Sequence, residues 1–545
     1  MTRYPADRAA REELVARSFA EILGMTRVDP AESFFDLGGT SLDAGKLCAR
    51  IGSALDVAVP FPQIYRTPSV TTLVDWLDEA ASATAPVAQK ASATAPGTQA
   101  APAPAPARPH EPVPLTTGQL NLVHAAPEVV CAQLWWVDGE LDTGALRAAL
   151  TDVQHRHQTL YAHYRSDPPS AVVPTDPGSA ELVELPDAVD DAQAVSTVDS
   201  TVRAALRFTE GRIWRAGLVR SLASGRLLFG IGVHHLAFDG WSQALLVADL
   251  SIAYAARRAG AAPAWARPAP TMREVAEEQR HRLAPADLGP QLAYWRGQLR
   301  DLPRLAIPGM ARGAAPPSGP KDGRLVRIPA PALARWDEDA RARGATRFSY
   351  LVAVFGQVLH QITGQAEVAM IVPVALRGSP LLDATIASRL DAVCLRLRKV
   401  GRPGTDLLAS ARQVLTGALA AQDVSFNEVV GDLARLRPDI HILAGLPIFL
   451  LQDNATAPVT FDGCVLEGVA EPVAKEAPNA ITVEVFADPD GAALRVTVRA
   501  DIVPAGLADR ITNEFLDVVA QGPARLGAPV TSPATVTSPA TAPAG

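Results

Sequence analysis

Cysteine is scarce in this sequence: Cys48, Cys131, Cys394 and Cys464 are the only four in 545 residues, and no two of them form a CxxC pair. That spacing leaves neither a disulfide framework nor a cysteine cluster for structural zinc. Charge of one sign is scarce too. The formal net charge is -8, too mild for wrapping nucleic acid or adhering electrostatically to an anionic membrane. No apolar run approaches the roughly 18 residues of a membrane span. The N-terminal MTRYPADRAAREEL lacks the apolar stretch of a secretory signal. The expectation is a cytoplasmic chain with reduced thiols and neither a nucleic-acid nor a membrane partner. What is present is ordinary for a globular protein, with 48% apolar and 20% charged residues.

The length exceeds one hydrophobic core, because domains commonly run about 100 to 200 residues. Low-complexity sequence marks the divisions. From Ala81 the block ASATAP occurs twice and APAPAPARP follows, too poor in large apolar side chains to fold. Residues 81–112 therefore read as an extended Ala/Pro-rich linker. The C-terminal TSPATVTSPATAPAG reads as a tail over 526–545. Residues 1–80 read as a helical bundle, with Leu14, Phe19, Ile22 and Leu23 along one side of a first helix, a second helix from about Ser41, and a last one carrying Val70, Leu73, Val74 and Leu77. After the linker, helical patterns alternate with β-rich runs such as LLFGIGVHH, VAMIVPVAL and ALRVTVRA. That is an α/β region, divided into lobes at 113–295 and 296–525.

Two short segments carry chemistry. In FFDLGGTSL (Phe34–Leu42), Gly38 and Gly39 precede Ser41 at the start of a helical pattern. Read from the residues alone, Ser41 is either an N-cap or a hydroxyl presented at a helix N-terminus, where backbone N–H groups and the helix dipole favour a phosphate. Further on, LLFGIGVHH reads as a buried strand over Leu227–His235, followed by LAFDGWS. Alternation puts Phe229, Ile231, Val233 and His235 on one face and His234 on the other, with Gly230 and Gly232. The histidines could be core residues, metal ligands or an acid-base pair. No further His or Cys lies close in sequence to complete a metal site. Asp239, next to Gly240, sits where the strand signal gives way to a turn.

The first 80 residues resemble a peptidyl or acyl carrier protein through the attachment motif LGGxSL, present as Leu37, Gly38, Gly39, Thr40, Ser41 and Leu42. The resemblance implies an all-α four-helix bundle with 4'-phosphopantetheine carried covalently on Ser41. It also implies that Asp36 helps a phosphopantetheinyl transferase recognise the site.

The region from about Pro112 to Gly522 resembles the condensation domains of nonribosomal peptide synthetases. His234, His235, Asp239 and Gly240 match the HHxxxDG signature. TTGQL (Thr116–Leu120), RHQTLYAHY (Arg156–Tyr164), IASRLDAVCLR (Ile386–Arg396), AQDVSFNEVV (Ala421–Val430) and FLLQDN (Phe449–Asn454) resemble further motifs in the family's order. The resemblance implies two chloramphenicol acetyltransferase-like lobes forming a V around a tunnel. In it, His235 is central as general base or as a group orienting the acceptor. Asp239 pairs with Arg377, Gly240 leaves room for substrate and offers a backbone N–H, and Trp241 is pocket wall or core. Tyr161, Asp391 and Ala421 depart from the family's arginine, asparagine and histidine.

The implied activity is acyl transfer from Ser41 to an amine or alcohol, forming an amide or ester. The donor would be loaded in trans by an adenylation enzyme or upstream synthetase module, and the acceptor would arrive free or carrier-bound. A non-catalytic binding module and an epimerase are the alternatives. Incubation with a phosphopantetheinyl transferase and coenzyme A is expected to add one phosphopantetheine to the chain and none to Ser41→Ala, read by intact-mass spectrometry.

Overall fold

The computed structural model describes residues 7–84 and 111–526, apart from 24, 35–36, 38–46, 48–49, 52–53, 56–58, 60–63, 65–66, 68, 126–128, 205, 284–287, 312–318, 378, 437–442, 444, 453–458, 470–475, 478, 489–490 and 523–525. Ser41, Asp36 and the Gly38–Gly39 pair lie outside the described residues, as do 85–110 of the expected linker and 527–545 of the expected tail.

The N-terminal region is helical. Helix α1 (Arg8–Leu23) and helix α2 (Val70–Thr84) share a core with Phe34, Leu47, Ile51, Leu55 and Ile64. Phe19 meets Phe34 edge to face at 5.0 Å, and Arg8 and Arg11 reach Asp75 and Asp78 of α2, each at 2.7 Å. Helix α2 continues to Thr84, past the linker start expected at residue 81. Alanine prolongs a helix readily, and Pro86 disfavours helical geometry at the residue before it.

Among the described residues the remainder is built on two large sheets and a two-stranded one. The first half of the chain supplies β1 (Val130–Gly139), the hairpin β2 (His163–Ser166) and β3 (Pro169–Val172), then β4 (Leu182–Glu184), β5 (Trp214–Arg220) and β6 (Leu227–His234). The second half supplies β7 (Gly319–Pro329), β8 (Glu367–Ala375), β9 (Leu390–Arg398), β10 (Ile448–Gln452), β11 (Val459–Phe461), β12 (Cys464–Gly468), β13 (Glu476–Ala477), β14 (Ile481–Asp488) and β15 (Gly491–Arg499). The first sheet has the order β11-β12-β1-β6-β5-β4 and the second β13-β7-β15-β14-β10-β8-β9. Helices α3 (Thr117–Ala125), α4 (Thr143–Arg156), α5 (Asp191–Arg203), α6 (Gly240–Arg258) and α7 (Met272–Leu283) accompany the first sheet. Helices α8 (Gly289–Leu299), α9 (Ala330–Ala342), α10 (Arg347–Thr363), α11 (Leu407–Ala420), α12 (Phe426–Ala434) and α13 (Leu507–Gln521) follow.

Two of the expected boundaries need correction. A division at residue 295 would cut α8, whose Trp295 and Leu299 belong to the second core and whose Trp295 Nε1–H donates to Ala421 O at 2.9 Å. Within the expected second lobe, residues 459–468 cross to the first sheet: Val137 pairs with Leu466 and Gly139 with Cys464. Phe461, Cys464 and Leu466 are apolar and bury in the first core, so this strand pair goes where its side chains leave water.

Strand alternation assigns the faces of the first sheet. Trp135, Phe229, Ile231 and Val233 face α4 and α6, whereas Leu134, Val219 and Leu228 face Ala194, Val198 and Val202 of α5. Gly230 and Gly232 occupy this second face and let α5 lie directly on the strand. A Cβ on Gly232 would come within 2.1 Å of Val202 O, and one on Gly230 within 2.4 Å of Val198 Cγ1. Gly232→Ala is therefore expected to destabilise the protein by about 1 to 3 kcal/mol through overpacking, measured as a lowered urea midpoint.

Candidate active site

Strand β6 stops at His234, one residue short of the expected strand, and His235–Ala237 form a single 3-10 turn. The cause is the His234 side chain, whose Nδ1 accepts the Leu236 N–H at 3.2 Å and caps the turn. A nitrogen that accepts carries no proton, so this bond selects a neutral ring with its hydrogen on Nε2. The ring is buried and tilts against Phe208 at 5.2 Å. His234 is thus a buried cap within the motif. His235 leaves the strand face that alternation gave it. Its own N–H donates to Val129 O at 2.8 Å, its side chain is half-buried, and its Nδ1 is buried with no hydrogen-bond partner among the described residues.

Asp239 is 1% exposed and N-caps α6. Its Oδ1 accepts from Ser242 N–H at 2.8 Å and lies 2.7 Å from Ser242 Oγ. Arg377 Nη2 lies 3.0 and 2.9 Å from the two carboxylate oxygens, and the Arg389 N–H donates to Oδ2 at 3.0 Å. Arg377 Nη1 donates to Leu382 O and Thr385 O at 2.6 and 2.7 Å. Trp241 Nε1–H donates to Asp383 O at 2.9 Å, with the Arg377 guanidinium 5.5 Å above its ring. Between them Gly240, the first residue of α6, is exposed, and a Cβ there would meet nothing within 4 Å. Asp239 and Trp241 are occupied by the wall of the site, while Gly240 opens onto free space.

The segment Ile386–Arg389 of the second half lies along this wall, and hydroxyls from the first half meet its successive carbonyls. Thr159 Oγ1 donates to Ile386 O at 2.7 Å. Ser242 Oγ lies 3.1 Å from Ala387 O and accepts the Ala387 N–H at 3.2 Å. Thr116 Oγ1 donates to Ser388 O at 3.2 Å, and the Ser388 N–H reaches Leu236 O at 3.4 Å. Thr159, Ser242, Thr116 and Arg389 received no role from the sequence. Only the Asp-x-x-Ser spacing of a helix N-cap could have singled out Ser242.

Of the departures from the family motifs, Asp391 has the clearest consequence. Its Oδ1 accepts from Asn121 Nδ2 at 3.1 Å, and both its oxygens lie 3.2 Å from the Phe426 N–H that heads α12. Burial pushes this carboxyl up to about 6, with the backbone N–H groups of Ala392 and Phe426 and the Asn121 amide opposing the rise. Tyr161, half-buried, has its phenol raised by burial. Ala421 is buried and receives Trp295 through its carbonyl. Among ring nitrogens elsewhere, His157 Nε2 lies 2.7 Å from Asp249 Oδ2. Burial lowers that imidazole below its ordinary value against the pull of Asp249.

Residues 125–501 match the Condensation domain family, and residues 13–77 match the Phosphopantetheine attachment site family. The chain belongs to the condensation-domain family. Its helical N-terminal region is a carrier domain, the site of covalent 4'-phosphopantetheine attachment in that second family. It is 30% identical over 541 residues to the nonribosomal peptide synthetase CymA of Salinispora arenicola, matching 94% of this chain but only 7% of CymA. Its fold resembles the first condensation domain of the CDA synthetase, at TM-score 0.63 and 22% identity over 77% of this chain and 98% of that one. It also resembles the complex of the X-domain and OxyB from teicoplanin biosynthesis, at TM-score 0.63 and 21% identity over 78% of this chain and 96% of that one. Among the described residues no helix is long and apolar enough to cross a membrane.

Arg377→Met strands the Asp239 carboxylate without its counter-charge and is expected to cost about 3 to 5 kcal/mol, read as a fall in the denaturant midpoint. Asp391 carries the opposite sign of pH dependence from a salt-bridged carboxylate. Its folded-state value exceeds the ordinary 3.8, so the folded state binds the proton more tightly and stability falls as pH rises between about 4 and 6. Asp391→Asn should be more stable than the parent at pH 8, by on the order of 2 kcal/mol. That gain should disappear below about pH 4, measured by thermal unfolding across the range.

Proposed function

We propose that the chain is a condensation enzyme that transfers an acyl or peptidyl group from phosphopantetheine on Ser41 to an amine or alcohol, forming an amide or ester. The observation that carries this reading is the His235 imidazole. It is half-buried, no side chain among the described residues holds its Nδ1, and Gly240 of the same motif opens onto free space. The carrier domain supports the donor side. Phe34 and Leu47, which flank Ser41 in sequence, are fully buried in the core of the carrier domain, and a serine hydroxyl is the group that accepts a phosphodiester. When bound, the prosthetic arm supplies the acyl group as an activated thioester.

A histidine that works as a strong general base is usually oriented by a carboxylate on its other nitrogen. Asp239 has no such contact with His235, being held by Arg377, Ser242 and Arg389. This supports a hydrogen-bonding role: His235 receives the N–H or O–H of the nucleophile and fixes its lone pair toward the thioester carbon. When bound, the arm would supply a thioester whose sulfur leaves as the C–N or C–O bond forms, carrying away the proton that the nucleophile gives up. For an activated acyl group, holding the reactants together supplies much of the acceleration. Gly240 heads α6, so its N–H is among the donors that the helix leaves unsatisfied, and it suits a developing oxyanion.

The partners that this reading requires are a phosphopantetheinyl transferase, an adenylation enzyme or upstream synthetase module that loads the carrier, and a free or carrier-bound acceptor, all working in the cytoplasm. A second reading, a module that recruits another enzyme to the carrier without catalysis, draws on the likeness to an X-domain solved with OxyB. Loading Ser41 with an acyl-phosphopantetheine and adding candidate amines separates the two. His235→Ala should lower product formation by about 10²- to 10⁴-fold while leaving carrier loading intact. Equal rates would remove His235 from the reaction and favour recruitment. Loss of hydrogen at the acyl α-carbon to deuterated solvent with no acceptor present would point to epimerisation.

A further inference from the structure

We propose that Gln119 is the positioning residue for His235, acting through the backbone of the turn that carries the imidazole. The proposal rests on the reading of His235 as the reacting histidine, and its first readout is independent of that reading.

The turn His235–Ala237 is weak by itself. Hydrogen-bond geometry in a 3-10 turn is poorer than in an α-helix, and the bond from Phe238 N–H to His235 O is long at 3.3 Å. Among the described residues no hydrogen bond holds Nδ1 of the ring, and Asp239 is engaged elsewhere. The hydrogen bonds that place the imidazole are therefore those of the backbone that carries it. That backbone has four external attachments: His235 N–H to Val129 O, Leu236 N–H to His234 Nδ1, and Leu236 O to both Ser388 N–H and Gln119 Nε2, the last at 3.2 Å. Among the described residues, Gln119 is the one side chain from another element that bonds the turn.

The amide of Gln119 is fixed at both ends. It is 1% exposed, and its Oε1 accepts the Thr116 N–H at 3.0 Å and lies 3.3 Å from Thr116 Oγ1. This orients Nε2 toward Leu236 O, with Tyr164 Oη a further 3.5 Å neighbour. Thr116 in turn donates to Ser388 O, and Ser388 donates to the same Leu236 carbonyl. Gln119 thereby ties the histidine turn to α3 and to the segment from the second half of the chain. The sequence contains the residue in TTGQL, which resembles a family motif, but assigns it no role.

The test uses two substitutions and the full phosphopantetheinylated chain. Gln119→Met keeps the volume and removes the donor. Gln119→Glu keeps the acceptor for Thr116 and regains a donor only when its carboxyl is protonated. The imidazole Cε1–H resonance of His235, assigned by its disappearance in His235→Ala, should move in Gln119→Met. In Gln119→Glu it should be displaced at pH 8 and return toward the parent's position, compared at equal pH, as the carboxyl takes up its proton. Condensation should lose about tenfold or more in kcat with KM changed by less than about twofold, the pattern of lost transition-state alignment. If Gln119→Met does not fold, the Glu variant across pH carries the test. A resonance unmoved in both variants overturns the proposal. A displaced resonance in a protein whose parent form condenses nothing leaves the positioning role standing and removes the reading of His235 as catalytic.

Discussion

The buried ion pair between Asp239 and Arg377 is the constraint on which the rest of the site depends. Taking both charges out of water costs several kcal/mol per ion, and such a pair is tolerated only where further hydrogen bonds complete it. Here Arg377 also donates to the carbonyls of Leu382 and Thr385, and Asp239 also caps α6 and takes the Arg389 N–H. One carboxylate thus fixes the start of α6 in the first half and the 377–389 segment in the second. The hydroxyls of Thr159, Ser242 and Thr116 meet successive carbonyls of that segment.

The same commitment leaves His235 without a carboxylate of its own. The protein provides a place for the imidazole rather than a carboxylate partner among the described residues. That is compatible with the chemistry proposed, in which the acyl donor arrives activated and alignment supplies much of the rate. Asp391 belongs to the same junction of α3, β9 and α12. A carboxylate there is tolerated because Phe426, Ala392 and Asn121 offer it donors, although burial still favours its neutral form.

Sequence reasoning named Asp239 and Arg377 although 138 residues separate them, because a motif aspartate needs a counter-charge and a family resemblance pointed to the arginine. It assigned Gly230 and Gly232 to the face away from Phe229, since period-two alternation needs only the strand. It missed the end of that strand, because the His234 cap depends on where Leu236 N–H comes to lie. It gave no role to Gln119, whose meaning resides in a carbonyl 117 positions away. It also kept residues 459–468 in the second lobe, where apolar alternation alone does not distinguish one sheet edge from another.

By itself the sequence determined the helical N-terminal region, the α/β character of the remainder, the histidine pair with its aspartate, and the family. All of these are written in local periodicity and short motifs. Tertiary structure alone decided which histidine caps and which is left open, what Asp239 is bound to, and which halves of the chain build each sheet. The reason is physical: burial and hydrogen-bond satisfaction are properties of surroundings assembled from distant segments, and no window of neighbouring residues contains them.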